Sequence, residues 1–314
     1  MYQQQLQTSV VFIVFNRPVH TRASFARIAA AKPSRLLVIA DGPRANVSGE
    51  SAVCEEVRMA ATAVDWPCQV ELNFSSENMG CRDRVISGLN WAFERVEEAI
   101  ILEDDVLPDP TFFPFCEQML RQYRGDNRIS MITGCNLVAD FLRTDYSYFF
   151  SRLTHIWGWA TWRESWARYD QHIKSWPEVK RTALLEEIFD SPATAAYWTK
   201  IFEAMHDGTG PDTWDYQWVY TNFIQNALSI VPGVNLVENI GFGMDATHTV
   251  VATDAYKLTA QSIEFPLIHP PTFVPLRSMD NKDLEICNCR IPTLPQRIAR
   301  KLKNIGTKAL QKSA

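Results

Sequence analysis

Three acidic side chains follow a short apolar segment in the first third of the chain. Glu103, Asp104 and Asp105 come directly after Ala-Ile-Ile-Leu at 99–102. Hard carboxylate oxygens are the ligands that Mg2+ or Mn2+ prefers, and such an ion keeps positions for water and for substrate phosphates. Alternation along a strand predicts Glu103 and Asp105 on one side and Asp104 on the other, so that one acid can hold a metal ion while its neighbour binds a ribose. A solvated acidic turn after a buried strand is the alternative.

Two more polar residues follow apolar runs. Arg17 comes after the run at 10–15, and Asp41 comes after the run at 36–40. An arginine offers a bidentate fork to phosphate, and Asp41 in this position could contact a nucleobase or ribose, although aspartate before glycine also forms turns. The chain lacks both GxGxxG after its first apolar run and GxxxxGK[ST], which argues against a dinucleotide fold and a P-loop. Phosphate binding would then require a metal ion.

The middle of the chain is rich in tryptophan. Trp157 and Trp159 lie in the block at 157–163, and Trp214 lies in the later loop at 210–218. Tryptophan rings stack on sugar rings in many binding sites, but a block of this kind also packs in cores. Both interpretations remain open at this stage.

Two acids in the later loop and one histidine beyond it are further candidates. Asp212 reads as the N-cap of a helix, whereas Asp215, between Trp214 and Trp218, is placed to act as a general base in a partly dry environment. His248, after Gly-Phe-Gly at 241–243, is a candidate metal or phosphate ligand, although a lone histidine is more often an ordinary polar residue.

Apolar runs of four to seven residues alternate with segments of helical period, which predicts an α/β fold with parallel strands joined by crossover helices. Ligands in such a sheet bind outside the carboxyl ends of the strands. Arg17, Asp41 and the triplet at 103–105 should therefore converge. The predicted strands are 10–15, 36–40, 70–74, 99–102 and 129–133, and the predicted helices include 18–31, 111–123, 180–205 and 214–227, followed by an extended linker at 266–275.

Composition indicates a folded globular protein rather than a disordered or fibrous one. The chain has 314 residues, of which 46% are hydrophobic and 21% charged. No apolar run approaches the roughly 18 residues of a transmembrane helix, and residues 1–7 do not resemble a signal peptide. The seven cysteines form no CxxC pair and no zinc spacing. We therefore expect reduced thiols and a cytoplasmic protein.

Charge is distributed unevenly along the chain. Residues 290–314 contain seven Lys or Arg and no acid, so the part before them carries about −12, whereas the whole chain carries −5. A body this acidic is a poor partner for nucleic acid. A basic amphipathic helix at 295–312 would allow residues 293–314 to make peripheral contact with anionic lipid at the inner face of the membrane, with a solvated or docked helix as the alternative.

Taken together, these motifs resemble the GT-A nucleotide-sugar glycosyltransferases, in particular the N-acetylglucosaminyltransferase I type. The resemblance rests on Asn16-Arg17, Asp41, the triplet with 108–113 behind it, and the tryptophan block leading to Trp214-Asp215, and it covers roughly residues 8–245. It implies a catalytic domain at 1–250, with a nucleotide-sugar half at about 1–135 and an acceptor half at about 136–250, and a C-terminal extension at 251–314.

The resemblance also implies residue roles. It assigns Mn2+ (or Mg2+) binding to Asp105, ribose contact to Asp104 with Glu103 beside it, diphosphate contact to Arg17 and uridine contact to Asp41. It assigns the role of catalytic base to Asp215. Because a long helical insert separates it from the tryptophan block, Asp212 stays in reserve, and His248 is an additional metal-ligand candidate.

The function implied is a metal-dependent, inverting transfer of a sugar, from a UDP-sugar in particular, to a hydroxyl of a glycan or glycolipid. Two alternatives remain. A sugar-1-phosphate nucleotidyltransferase uses related metal chemistry, but it carries a glycine-rich basic loop after the first strand, which Phe15-Asn16-Arg17-Pro18 lacks. The other alternative is a non-catalytic subunit that binds a nucleotide sugar.

Overall fold

The structure, a computed structural model, describes residues 5–241 and 258–289. In these ranges the strands are Ser9–Val14 (β1), Arg35–Ala40 (β2), Gln69–Phe74 (β3), Glu98–Glu103 (β4), Val106–Pro108 (β5), Ile129–Thr133 (β6), Tyr148–Ser151 (β7), Trp159–Trp162 (β8), Leu228–Pro232 (β9) and Val237–Asn239 (β10). The α-helices are Pro18–Ala31 (α1), Glu50–Ala61 (α2), Cys81–Phe93 (α3), Phe112–Gln122 (α4), Arg163–Trp166 (α5), Trp176–Arg181 (α6), Leu184–Ile188 (α7), Pro192–His206 (α8), Asp215–Ile224 (α9) and Arg277–Ile286 (α10).

Eight strands form one sheet in the order β3-β2-β1-β4-β8-β6-β9-β7. The first four are parallel to one another, whereas β8 runs antiparallel to both β4 and β6, and β7 runs antiparallel to β9. β5 and β10 form a separate antiparallel pair. The predicted α/β class, with a mostly parallel sheet flanked by helices, is confirmed.

The continuous apolar runs of the central strands arise because helices cover both faces of the sheet. In β1, Val10 and Phe12 join the core cluster formed with α1, α2 and α4, whereas Val11 and Ile13 join the cluster formed with α3 and α9. All four side chains are buried. A strand that buries both faces can accept polar residues only past its end, which is where the candidate site residues lie.

The segment predicted as one helix over 180–205 is instead divided among α6, α7 and α8. Ala183 adopts a left-handed backbone with φ 53°, which interrupts the helix after α6. A new helix then begins at Pro192, where proline stands in the first turn and the Ser191 side chain accepts a hydrogen bond from the Thr194 amide at 3.4 Å. Both features favour a helix start over a continuous helix.

Residues 258–276 contain no helix or strand, which agrees with the extended segment predicted at 266–275. This stretch covers the outer edge of β7, because the Ser147 amide donates to the Ile268 carbonyl at 2.8 Å and the Leu276 amide donates to the Phe150 carbonyl at 2.9 Å. It leads into α10, which the sequence did not predict. The proposed basic helix at 295–312 lies outside the described residues.

Candidate functional site

Parallel pairing brings three strand ends to one edge of the sheet. β1 lies between β2 and β4, with Val14 opposite Ala40 and Ile13 opposite Glu103. The polar residues just beyond these ends therefore emerge side by side, as expected for ligand sites in parallel sheets. The predicted convergence of Arg17, Asp41 and the acidic triplet is observed.

Arg17 lies against the last two acids of the triplet. Its Nη1 donates to Asp105 Oδ2 at 2.9 Å and lies 4.0 Å from Asp104 Oδ1. The expected separation of Asp104 from Asp105 onto opposite sides is therefore wrong. The reason is that β4 ends at Glu103, so strand alternation does not extend through the turn that carries the two aspartates.

The backbone around the triplet is held by its neighbours. Asp104 accepts a hydrogen bond from the Phe15 amide at 3.4 Å through Oδ2 and from Ser24 Oγ at 2.7 Å through its carbonyl oxygen. The Ile240 amide, just after β10, donates to the Asp105 carbonyl at 2.8 Å. A Cβ at position 241 would overlap the Asp105 carboxylate, so glycine there allows the chain to pass directly over this acid.

Among the residues that the structure describes, the three acids of the triplet lie close to one guanidinium, that of Arg17. Burial, followed by the charges of Asp105 and Asp104, raises the pKa of Glu103 well above its usual range, and Asp215 contributes in the same direction. Burial and the Asp105 charge also raise the pKa of Asp104. Arg17 opposes both shifts. Negative charge in excess of one guanidinium is the arrangement that an additional cation would relieve.

Asp41 organises the loop that follows β3. Its carboxylate accepts hydrogen bonds from the Gly42 amide at 2.8 Å, the Met79 amide at 2.9 Å and Asn78 Nδ2 at 2.9 Å. The side chain is buried, and burial raises its pKa despite these bonds. Asp41 thus connects the end of β2 to the loop before α3.

Asp212 occupies a different place from the one that local sequence suggests. Asp212 is not the cap of α9, because Trp214 occupies that position and provides no side-chain cap. Instead, Asp212 Oδ2 accepts a hydrogen bond of 3.1 Å from the Cys81 amide, at the start of α3. A Cβ on Gly80, whose φ is 81°, would lie 2.7 Å from that oxygen. Asp212 therefore caps a helix 131 residues away in the sequence.

We expect Asp212→Ala to lower the free energy of unfolding by about 1 kcal/mol, because the α3 amide loses its acceptor. Asp212→Asn should cost less, since its amide oxygen can still accept. Urea unfolding measures both, with Asp207→Ala as the control because Asp207 is exposed at the end of α8. Equal stability of Asp212→Ala and the control would contradict the capping role.

Asp215 opens α9 and interacts electrostatically with Glu103 of the triplet. Its Oδ1 accepts hydrogen bonds from Thr213 Oγ1 at 2.5 Å and from the Tyr216 amide at 3.0 Å. Its charge also acts on Cys81 and Glu103 across the site. Folding thus brings Asp215 to the same edge of the sheet as the acidic triplet.

Of the three candidate tryptophans, one ring is partly exposed and two are enclosed. Trp159 and Trp214 are each 1% exposed and stack on each other with ring centroids 5.5 Å apart. The expectation that they stack on a sugar is not met in this structure, because both rings lie inside the core. Trp157 is only partly buried, and it remains a candidate for contact with a sugar.

Cys81 is a site residue that the sequence analysis missed. It is the first residue of α3, and burial together with the charges of Glu103, Asp212, Asp215 and Asp41 raises the pKa of its thiol. The only sequence signal was its place at a helix start after a predicted strand, a position shared by residues without any function.

No group of three His, Cys, Asp or Glu side chains that could hold a metal ion occurs within 5–241 and 258–289. His248 lies outside these ranges. Mg2+ and Mn2+ nevertheless bind through one or two carboxylates when a substrate supplies phosphate oxygens. The hard oxygens of Asp104 and Asp105, in surroundings of excess negative charge, fit that mode of binding.

No protein-family model and no curated protein matches the chain. Solved structures do match. A mannosyltransferase from Pyrobaculum calidifontis in complex with GDP-Man and Mn2+ shares 14% identity over 70% of each chain, with a TM-score of 0.39. The inositol-1-phosphate CTP transferase from T. maritima shares 10% identity over 78% of this chain and 91% of its own, also with a TM-score of 0.39.

A third match is a UDP-glucose pyrophosphorylase complexed with UDP-glucose, at 8% identity and a TM-score of 0.27, over 46% of this chain and 62% of that one. All three solved structures are nucleotidyl- or glycosyl-transferring enzymes by description. At these identities and TM-scores, the likeness assigns no activity to this chain.

In the parts of the chain that the structure describes, every helix is too short or too polar to span a lipid bilayer.

Proposed function

We propose that this protein is a metal-dependent, inverting glycosyltransferase that moves a sugar from a nucleotide diphosphate sugar, in particular a UDP-sugar, to a hydroxyl of a glycan or glycolipid. The observation that carries the proposal is the meeting of two distant groups at one sheet edge. Asp215 on α9 acts electrostatically on Glu103 at the end of β4, so a base candidate lies beside a candidate cation and phosphate site.

The donor side of the site is assigned to residues at the strand ends. Arg17 provides a guanidinium for the diphosphate, and Asp41 with the neighbouring Asn78 amide provides polar groups for a nucleobase. Asp104 is assigned to the ribose. In the structure Arg17 pairs with Asp105 at 2.9 Å, so diphosphate binding would draw the guanidinium away from that carboxylate.

A divalent metal would be held by Asp105, with Asp104 beside it. When bound, such an ion neutralises the charge that develops on the leaving diphosphate. The excess of carboxylates over cations around Arg17 supports this assignment. The chain's own contribution is to keep both aspartates in place through the amides of Phe15 and Ile240.

Asp215 is assigned as the general base. Thr213 Oγ1 and the Tyr216 amide both bond to its Oδ1, and we therefore assign proton transfer to Oδ2. The acceptor hydroxyl oxygen would attack the anomeric carbon, the bond from that carbon to the diphosphate oxygen would break, and the hydroxyl proton would pass to Asp215. One base on the acceptor side is sufficient for inversion.

A thermal-shift panel of nucleotide sugars, with and without Mn2+, tests the donor assignment. A ligand at 100 times its dissociation constant adds about 2.7 kcal/mol to stability, so we expect a UDP-sugar with Mn2+ to raise the melting temperature. The control is the same panel with EDTA. Stabilisation by a sugar 1-phosphate and a nucleoside triphosphate, with pyrophosphate release, would favour a nucleotidyltransferase. No response to any nucleotide diphosphate would overturn the proposal.

The acceptor assignment includes the basic end of the chain. Residues 293–314, which lie outside the described ranges, contain Lys and Arg but no Asp or Glu. Each basic residue near an anionic surface contributes about 1 kcal/mol of attraction. This charge supports a cytoplasmic enzyme held at the inner face of a membrane, close to a lipid-linked glycan.

A further inference from the structure

Two cysteines lie together at the end of α10. The helix ends at Ile286, after which the Cys289 amide donates to the Leu284 carbonyl at 3.0 Å and the Asn288 amide donates to the Glu285 carbonyl at 3.1 Å. This pair of bonds is a Schellman motif. Asn288 takes the left-handed conformation that the motif requires, with φ 53°.

The Schellman turn folds Cys289 back over the last turn of α10. Cys289 packs in the same apolar cluster as Leu284, with Cys287 at its edge. Cys289 Sγ donates to the Cys287 carbonyl oxygen at 3.9 Å, and Cys287 Sγ donates to Asp283 Oδ1 at 3.4 Å. No disulfide is formed by the described cysteines, all of which are thiols in the structure.

Polar groups surround the Cys289 sulfur. Tyr197 on α8 interacts electrostatically with it, and His155 lies nearby, bonded through Nε2 to Asp283 Oδ2 at 2.7 Å. The Cys287 side chain is the largest influence, and together with Tyr197 and His155 it lowers the pKa of the Cys289 thiol despite burial.

The remaining thiols have the opposite environment. Burial raises the pKa of each of the five cysteines outside this pair, which are Cys54, Cys68, Cys81, Cys116 and Cys135. Thiolate character governs the susceptibility of cysteine to oxidation. Cys289 is therefore distinguished from all five by its hydrogen-bonding partners, and its neighbour Cys287 is partly exposed.

We propose that Cys287 and Cys289 are a redox-sensitive thiol pair that hydrogen peroxide converts to a disulfide. The Cys289 thiolate attacks a peroxide oxygen, the O–O bond breaks, and hydroxide leaves and takes up a proton to form water, with a sulfenic acid left on Cys289. The Cys287 thiol then attacks that sulfur and expels the hydroxyl group, with the thiol proton, as a second water. Two thiols are oxidised and one peroxide is reduced.

The disulfide would change contacts inside the helical region. Forming it removes the Cys287 hydrogen bond to Asp283 and changes the electrostatic interaction between Cys289 and Tyr197. Tyr197 in turn interacts with Tyr216, the residue after Asp215. The modification site thus lies one contact away from α9 without including any residue of the proposed donor site.

Peptide mass spectrometry of the full chain tests this proposal directly. Trypsin cleaves after Lys282 and Arg290, which places both cysteines, and no other, in residues 283–290. After brief hydrogen peroxide treatment, unfolding and alkylation, we expect this peptide to lack both alkyl groups and to be about 2 Da lighter than its dithiol form. Dithiothreitol should restore double alkylation. Peptides with the other cysteines should be alkylated throughout.

Two variants and a control separate the roles of the sulfurs. Cys287→Ser should leave a sulfenic acid on Cys289 that dimedone traps, and Cys289→Ser should slow oxidation of Cys287 to the rate of Cys68. Cys68→Ser is the control, because that half-buried thiol lies outside the pair and hydrogen-bonds to the Gln69 carbonyl, and its loss should leave the 283–290 disulfide unchanged. Full alkylation of the wild-type peptide after peroxide, or a disulfide between either cysteine and a different one, would overturn the proposal.

Discussion

Asp215→Asn should lower turnover by about 10²- to 10⁴-fold, the range typical of a lost general base. Asparagine keeps an oxygen that can accept the hydrogen bonds from Thr213 Oγ1 and the Tyr216 amide, so the start of α9 should be preserved. Affinity for UDP with Mn2+ should change little, because the donor contacts are assigned to residues at the ends of β1, β2 and β4. Steady-state turnover and calorimetry of UDP binding measure the two quantities separately.

The matched control for this prediction is Asp207→Asn, which removes the same charge from an exposed position at the end of α8. It should leave both turnover and affinity unchanged. Normal turnover of Asp215→Asn would refute the base assignment. If Asp212→Asn then lost activity while remaining folded, the base would be Asp212, in spite of its hydrogen bond to the Cys81 amide.

Asp105→Asn should remove most of the Mn2+-dependent part of donor affinity. Changes to groups that only support a metal ligand cost about 10- to 100-fold in affinity, so loss of a carboxylate that binds the ion should cost at least as much. Donor affinity in EDTA should change far less, since that binding does not use the ion. Isothermal calorimetry with UDP, with and without Mn2+, measures this difference.

Glu97→Gln is a suitable control for Asp105→Asn, because its side chain is 84% exposed and lies just before β4, at the other end of the strand from the triplet. It should leave the metal dependence intact. Loss of the Arg17 ion pair with Asp105 acts on donor affinity both with and without Mn2+, so the difference between the two conditions isolates the contribution of the metal. Undiminished Mn2+-dependent affinity in Asp105→Asn would therefore exclude Asp105 as a metal ligand.

Local sequence patterns predicted the central strands, whose side chains are buried on both faces of the sheet. The strands β1, β2, β4 and β6 appear as uninterrupted apolar runs because helices cover both faces of the sheet. Their polar ends predicted the convergence of Arg17, Asp41 and the triplet, since parallel strands share a carboxyl edge. Proline in the first turn of α1 likewise acts through its own backbone geometry.

Several other features were decided by contacts between distant residues. Insertion of β8 between β4 and β6 buries Trp159 against Trp214, and no local pattern distinguishes a stacked core ring from one that binds sugar. α10 is a polar helix held by contacts such as the hydrogen bond that Ser151 Oγ donates to Asp280 Oδ1 at 2.6 Å. Its sequence is polar overall, because hydrogen bonds of the buried Asp280 and Asp283 contribute to its attachment beside the apolar contacts of Leu284.

Asp212 shows most clearly the difference between what the sequence determines and what the tertiary structure decides. By itself the sequence determined that an acid stands before α9, because residue type and spacing are local properties, and it equally determined the central strands and their polar ends. Only the tertiary structure decided that Asp212 caps α3 while Asp215 acts electrostatically on Glu103. The physical reason is that a carboxylate stabilises whichever amide groups folding brings within hydrogen-bond distance, and for residues 131 positions apart that choice depends on the packing of the whole sheet.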